Sequence, residues 1–240
     1  MSKIICVGDV HGRDFWRSVA EAEEYNFDHF IFLGDYFDNF PPMTGEDILH
    51  NFFDIVEFKN KYPDKVHLLI GNHDYHYMKF SPSRYSGYDH EFAKDIQDVL
   101  HYCLEKDLLK AAVSFGDLLF THAGVGMEWF KNIAKLSPGN PAESINEAFK
   151  VQPLLFDFLS GGTSNAGDDV HQGPFWIRPD SLKDQMIDGF HQFVGHSYME
   201  QISFYANKQE KTLAMMDSPK SREYIVLDTE GDKYIHVKKA

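Results

Sequence analysis

The sequence predicts one α/β domain, residues 1–240, built on two stacked β-sheets. Three observations lead there. Short apolar runs of strand length alternate with amphipathic helical stretches in the first half of the chain. The last third changes to close-set strands. No repeat, low-complexity tract or Pro/Ser-rich linker divides the chain.

The elements follow in order. "KIICV" (3–7), "HFIFL" (29–33), "VHLLI" (66–70), "LLFT" (118–121) and "FHQFV" (190–194) are apolar runs suited to buried strands. From Asp47 to Phe58, the residues Ile48, Leu49, Phe52, Phe53 and Val56 fall on one helical face, with Thr44 as N-cap. Between Glu91 and Leu109 the pattern returns through Phe92, Ile96, Val99, Leu100, Cys103 and Leu104. Ala142 to Leu159 reads as helical with a break near Pro153, whose ring removes a helix hydrogen bond. After Gly195, "ISFYA", "KTLAMM" and "EYIVLD" read as antiparallel hairpins beside or against the first sheet.

Composition narrows the function. Apolar content of 43% and aromatic content of 15% fit a globular protein. A formal net charge of −14 repels polyphosphate backbones and argues against large nucleic acids as partners; bound metal cations would offset part of it. Cys6 and Cys103 sit in apolar-periodic stretches without zinc-ligand spacing, as buried thiols of a reducing compartment do. No apolar stretch reaches membrane-span length and none near Met1 resembles a secretory h-region. The expectation is a cytoplasmic enzyme or binding protein that engages no membrane.

Five strands end in polar residues. Val7 runs into "GDVHG", Leu33 into "GDYFDN", Ile70 into "GNHD", Phe120 into "THAGV" and Val194 into "GHSY". Sites in α/β sheets form beyond the carboxyl ends of strands, so Asp9, His11, Asp35, Asp38, Asn72, His73, His122 and His196 can share one rim. Any one fragment alone reads as an ordinary turn; all five in order read as a metal site. Carboxylates, imidazoles and one amide suit Mn²⁺, with Fe²⁺ or Zn²⁺ as alternatives, and so many donors suit two ions rather than one.

At these motifs the sequence resembles the calcineurin-like metallophosphoesterases. It is most similar to the branch of Ser/Thr phosphoprotein phosphatases and symmetrical diadenosine tetraphosphatases. The resemblance runs from residue 8 to 196 and implies a four-layer α/β/β/α sandwich with two packed mixed sheets. It further implies a first metal on Asp9, His11 and Asp35, with Asp35 bridging to a second on Asn72, His122 and His196. The family's Gly-His-x-His ending is replaced here by Tyr198. By the same carry-over His73 is the general acid and Asp38 the carboxylate that orients it. A leaving alkoxide needs a proton, and a neighbouring carboxylate favours the imidazolium that supplies it.

The departures concern substrate. The branch places Arg after the second Asp of "GDYFD"; here that position is Asn39, which lacks a charged bidentate fork. Arg178, in "PFWIRPD", resembles a second phosphate-binding arginine of the branch. Arg13 and Arg84 are substitutes for the missing one, or ordinary solvated charges. Segments 75–90 and 160–174 suit loops that shape a groove, with most aromatics packing the loop itself. His76, His90 and His171 read as surface imidazoles rather than substrate contacts.

The resulting expectation is phosphate monoester hydrolysis by a metal-bridging hydroxide, with a phosphorylated small molecule, a nucleotide or a phosphoprotein as substrate. The alternative is a dinucleoside polyphosphate hydrolase or phosphodiesterase. A catalytically silent scaffold would have lost the general acid or several ligands, and His73 and all six inferred ligands are present.

Overall fold

The computed structural model describes residues 2–38, 43–137, 139–160, 167–229 and 234–240. The chain runs β1 (Lys3–Val7), α1 (Phe15–Ala22), β2 (His29–Phe32), α2 (Gly45–Lys61), β3 (Val66–Leu69), the single turn α3 (Asn72–Tyr75) and α4 (Ala93–Glu105). Then come β4 (Leu109–Lys110), β5 (Ala112–Phe115), β6 (Leu118–Thr121), α5 (Pro141–Val151), α6 (Pro179–Gln185) and β7 (His191–Val194). The chain closes with β8 (Ser203–Ala206), β9 (Thr212–Met215), β10 (Glu223–Asp228) and β11 (Tyr234–Lys239).

Two mixed sheets result. The first has the order β11-β10-β1-β2-β3-β4, parallel from β1 to β4 and antiparallel at β10 and β11. The second has the order β5-β6-β7-β9-β8, parallel through β6, β7 and β9 with antiparallel edges. Side chains alternate across each strand. Ile4, Cys6, Ile31, Leu33 and Leu69 face the second sheet and meet Leu118, Phe120, Phe193 and Ala214. Ile5, Val7, Phe30, Phe32 and Leu68 face the other way, onto Trp16 and Val19 of α1, Phe52 and Ile55 of α2, and Leu100 of α4. Beyond the second sheet, Val194, Leu213 and Met215 pack against Leu182 of α6. Helix, sheet, sheet and helix form the four expected layers. Each fully buried Leu, Ile or Phe contributes about 1.5–3 kcal/mol, so strand register, and with it the position of every strand end, is firmly held.

The five anticipated strands form within a residue of their expected bounds. Thr44 caps α2: its Oγ1 accepts the Asp47 N–H at 3.1 Å and the Asp47 carboxylate accepts the Thr44 N–H at 3.3 Å. Three readings need correction. Phe53 is 47% exposed, because it stands a hundred-degree step round the helix from Phe52, and Ile55 takes its place in the core. Helix α4 stops at Glu105, and Leu109 instead enters β4 beside β3. The late strands divide between the sheets: β8 and β9 form a hairpin in the second, whereas β10 joins β1 in the first, pairing Ile225 with Cys6. Burial on both faces explains the nearly unbroken apolar run of β10.

Candidate metal and catalytic site

The rim is assembled by backbone hydrogen bonds between loops distant in sequence. The loop after β1 is zipped to the loop after β2, with His11 N–H donating to Asp35 O at 2.6 Å and Gly12 N–H to Tyr36 O at 3.0 Å. Across the second sheet, Gly195 N–H donates to His122 O at 2.7 Å. The buried Asp74 carboxylate closes the seam between the loops after β2 and β3. It accepts N–H groups from Asp35 and Gly71, both at 2.8 Å, and from Tyr36 at 2.7 Å. His11, Asp35, Asp38 and His196 all take left-handed backbone angles, φ 44°, 53°, 58° and 62°. Such conformations cost roughly 1 kcal/mol each outside glycine and persist where the surroundings dictate them.

The six expected ligands converge. Asp9, His11 and Asp35 place one ligand atom each within 4.8 Å of one another. His11 Nδ1 lies 2.8 Å from Phe37 O and 2.6 Å from Asp38 O, so it carries the proton and Nε2 turns a lone pair towards Asp35 Oδ2, 3.6 Å away. His122 is arranged likewise: Nδ1 bonds Leu33 O at 2.8 Å, and Nε2 faces Asn72 Oδ1 at 2.9 Å and Asp35 Oδ2 at 3.4 Å. His196 Nδ1 lies 2.9 Å from the same Asn72 oxygen, and its buried Nε2 has no protein partner. Burial holds His122 and His196 neutral. The His122 Nε2 lone pair thus faces amide and carboxylate oxygens, which is costly unless a cation lies between them. Burial and the charges of Asp217 and Asp35 push the Asp9 carboxyl up, a strain that cations relieve. The donor set fits divalent metal ions.

Beside these ligands stands the acid pair. His73 Nδ1 bonds Asp38 Oδ2 at 2.8 Å, and its backbone N–H donates to Asp35 Oδ1 at 2.8 Å. Burial opposes protonation of His73, but the Asp35 and Asp38 carboxylates outweigh it and push its pKa up to about 9. Its Nδ1 is committed to Asp38, so Nε2 is the atom left to donate.

Arg178 stands just before α6 and sends Nη1 to Ser197 Oγ, 3.4 Å away, one residue past His196. Asn39 and residues 161–166 of the second loop lie outside the described residues. Arg13 is no solvated charge: its Nη2 donates to Asp9 O at 2.8 Å. Arg84 donates to Ser81 O and Ser83 O and stacks on Tyr88, so it staples its own loop. His76 is the largest departure from expectation. It is fully buried, with Nε2 2.6 Å from Asp38 Oδ2. Segment 75–90 packs its tyrosines inward, as expected, with Tyr75 and Tyr77 buried and Tyr85 against Trp176.

Sequence reasoning also missed Asp74 and Asp217. Asp74 had a visible signal as the closing carboxylate of "GNHD". Asp217 had none, being brought to Arg13 and Asp9 only by the β9–β10 connection; burial pushes its carboxyl up to about 6 despite Arg13 nearby.

Residues 2–208 match the sequence profile of the calcineurin-like phosphoesterases. The chain belongs to that family. The family is one of phosphoric ester hydrolases and implies divalent metal ions. It is similar to the serine/threonine-protein phosphatase 4 catalytic subunit of Eremothecium gossypii, 32% identical over 126 residues. That match spans half of this chain and 38% of the relative. In three dimensions it resembles a cold-active protein-tyrosine phosphatase from a psychrophilic Shewanella species, with a TM-score of 0.59, 19% identity, and coverage of 98% of this chain and 80% of that one. A metallophosphoesterase from Sphaerobacter thermophilus gives a TM-score of 0.55 at 13% identity, covering all of this chain and 88% of the other. Both structures support the two-sheet fold, and the phosphatase relative fits the phosphoprotein phosphatase branch. Among the described residues no helix is long and apolar enough to cross a membrane.

Proposed function

We propose that this calcineurin-like phosphoesterase hydrolyses phosphate monoesters at a two-cation centre. The convergence of His122 Nε2, Asn72 Oδ1, Asp35 Oδ2 and His196 Nδ1 carries the reading, because His122, its proton held on Nδ1 by Leu33 O, brings a lone pair to the Asn72 and Asp35 oxygens that a cation would satisfy. When bound, two divalent ions, manganese by the mixed oxygen and imidazole donor set, activate water for attack and neutralise phosphate charge. The protein supplies the rest. Arg178, with Asn39, binds the phosphate, and His73 donates its Nε2 proton to the departing oxygen while Asp38 holds the ring. A cavity of about 570 Å³ adjoins Arg178, lined by Ser197, Tyr198, Tyr205 and Lys183, and receives the group carried on the phosphate. Phosphorylated small molecules, nucleotides and phosphoproteins are the substrate classes. Buried free thiols at Cys6 and Cys103 support action in the reducing cytoplasm.

The test is Mn²⁺-reconstituted hydrolysis of a phosphoserine peptide against diadenosine tetraphosphate under identical conditions. Faster peptide turnover is expected. Faster tetraphosphate turnover would reassign the chain to phosphoanhydrides, and no chelator-sensitive turnover of either would refute the reading.

A further inference from the structure

The general-acid pair has two further partners. Asp38 Oδ2 faces His76 Nε2 at 2.6 Å as well as His73 Nδ1 at 2.8 Å, and the Tyr77 hydroxyl donates to Asp38 Oδ1. His76 and Tyr77 are both wholly inaccessible to solvent. Ligand atoms of Asp38, His73 and His76 lie close enough together to suggest a third cation. The tautomer argues otherwise. His76 Nδ1 accepts the Tyr85 backbone N–H at 3.2 Å, so the proton of a neutral His76 resides on Nε2, the atom 2.6 Å from Asp38 Oδ2. What faces the carboxylate is a donor, not a lone pair.

The same short segment sets the other donor. Asp89 N–H donates to the Tyr77 hydroxyl oxygen at 2.6 Å, which directs the phenolic hydrogen to Asp38. Between them Gly87, at φ +93°, passes so close that an added Cβ would lie 3.0 Å from Asp38 Cβ. Two backbone N–H groups of residues 85–89 therefore orient two buried side chains at one carboxylate: Tyr77 donates to Asp38, and His76 holds Nε2 2.6 Å from it.

We infer that His76, polarised by the Tyr85 N–H and assisted by Tyr77, is a positioning residue that seats Asp38 and so aims the general acid His73. The inference rests on the proposed monoesterase reading. With His73, His76 and Tyr77 on its oxygens, Asp38 has little capacity left to accept the His73 proton. That proton stays on the ring, and delivery is directed from Nε2 to the leaving oxygen. Without the His76 donor, Oδ2 rotates and the imidazole of His73 loses its fixed heading.

The experiment compares an alkyl phosphate, whose leaving group needs a proton, with 2,4-dinitrophenyl phosphate, whose leaving group does not. His76→Phe should lower kcat on the alkyl ester about 10- to 100-fold more than on the dinitrophenyl ester, the range seen when a supporting partner is lost. His76→Gln, whose amide can donate to Asp38 and accept from Tyr85, should recover most of that difference. Equal losses on both esters, or Gln no better than Phe, would overturn the inference. ¹⁵N spectra of histidine-labelled, metal-free wild-type protein decide independently of activity and of variant folding. They should show His76 protonated at Nε2 with Nδ1 as acceptor, and protonation at Nδ1 would overturn the inference. Wild-type protein that turns over neither ester would refute the monoesterase reading while the spectrum still judged the network.

Discussion

Gly195→Ala tests the geometry of the rim in a single methyl. Gly195 follows β7 and passes over Asp9, and a Cβ there would stand 1.9 Å from Asp9 Oδ1. Real Cβ contacts stay beyond 3.0 Å, so the carboxylate must retreat by about 1 Å. Metal–ligand distances tolerate about 0.2 Å, so the Asp9 ligand is lost from the first cation. The retreat also breaks the single bifurcated His196 N–H bond to Asp9, now 3.0 and 3.1 Å from its two oxygens. A loss of about 2–3 kcal/mol follows, or roughly 5–10 °C in Tm for a chain of this size. Elemental analysis after Mn²⁺ loading should fall from two ions per chain to about one, with kcat on an aryl phosphate down at least about 100-fold. A folded variant holding two ions with unchanged Tm would show that Asp9 is not where the first cation is held.

Three further outcomes are expected. His73→Asn should lower kcat about 10²- to 10⁴-fold on alkyl esters while metal content, measured in the same samples, stays at the wild-type value; unchanged turnover would remove His73 from the acid role. Glu23 is buried, bonded by Tyr224, Lys238 and Lys3 at 2.6, 2.7 and 2.8 Å. Burial alone would raise its pKa, but these partners lower it from 4.5 to about 2, so its stabilisation is present above pH 4.5 and lost as pH falls towards 2. Discounted for the partly exposed lysines, that is about 2 kcal/mol in all, and urea unfolding of wild type should lose about 1 kcal/mol more than Glu23→Gln between pH 6 and 3, the rest being lost towards pH 2. Asp74→Ala strands three backbone N–H groups and should cost about 3–5 kcal/mol, read by thermal unfolding of the metal-free protein; a loss below about 1 kcal/mol would show that the Asp35 loop is held by other contacts.

The strand cores and the residues that follow them were legible in the sequence because both facts are local. A strand buried on both faces must be an unbroken apolar run, and a ligand at its carboxyl end must be the next polar residue along the chain. Asp9, Asp35, Asn72, His122 and His196 needed no more than that. Only the tertiary structure could decide the rest. Whether β10 pairs with β1 or joins the later hairpin depends on which sheet edge it fills, since its apolar run suits either. His76 looked like a surface imidazole because its partners, Asp38 and the Tyr85 N–H, are 38 and 9 residues away. Arg13 looked solvated until the β9–β10 connection brought Asp217 towards it. Gly195 carries no sign in the sequence that a methyl there would strike Asp9, 186 residues earlier. A residue's type and the chemistry it offers are properties of the chain, but its partner and protonated nitrogen depend on contacts that exist only once distant segments have packed.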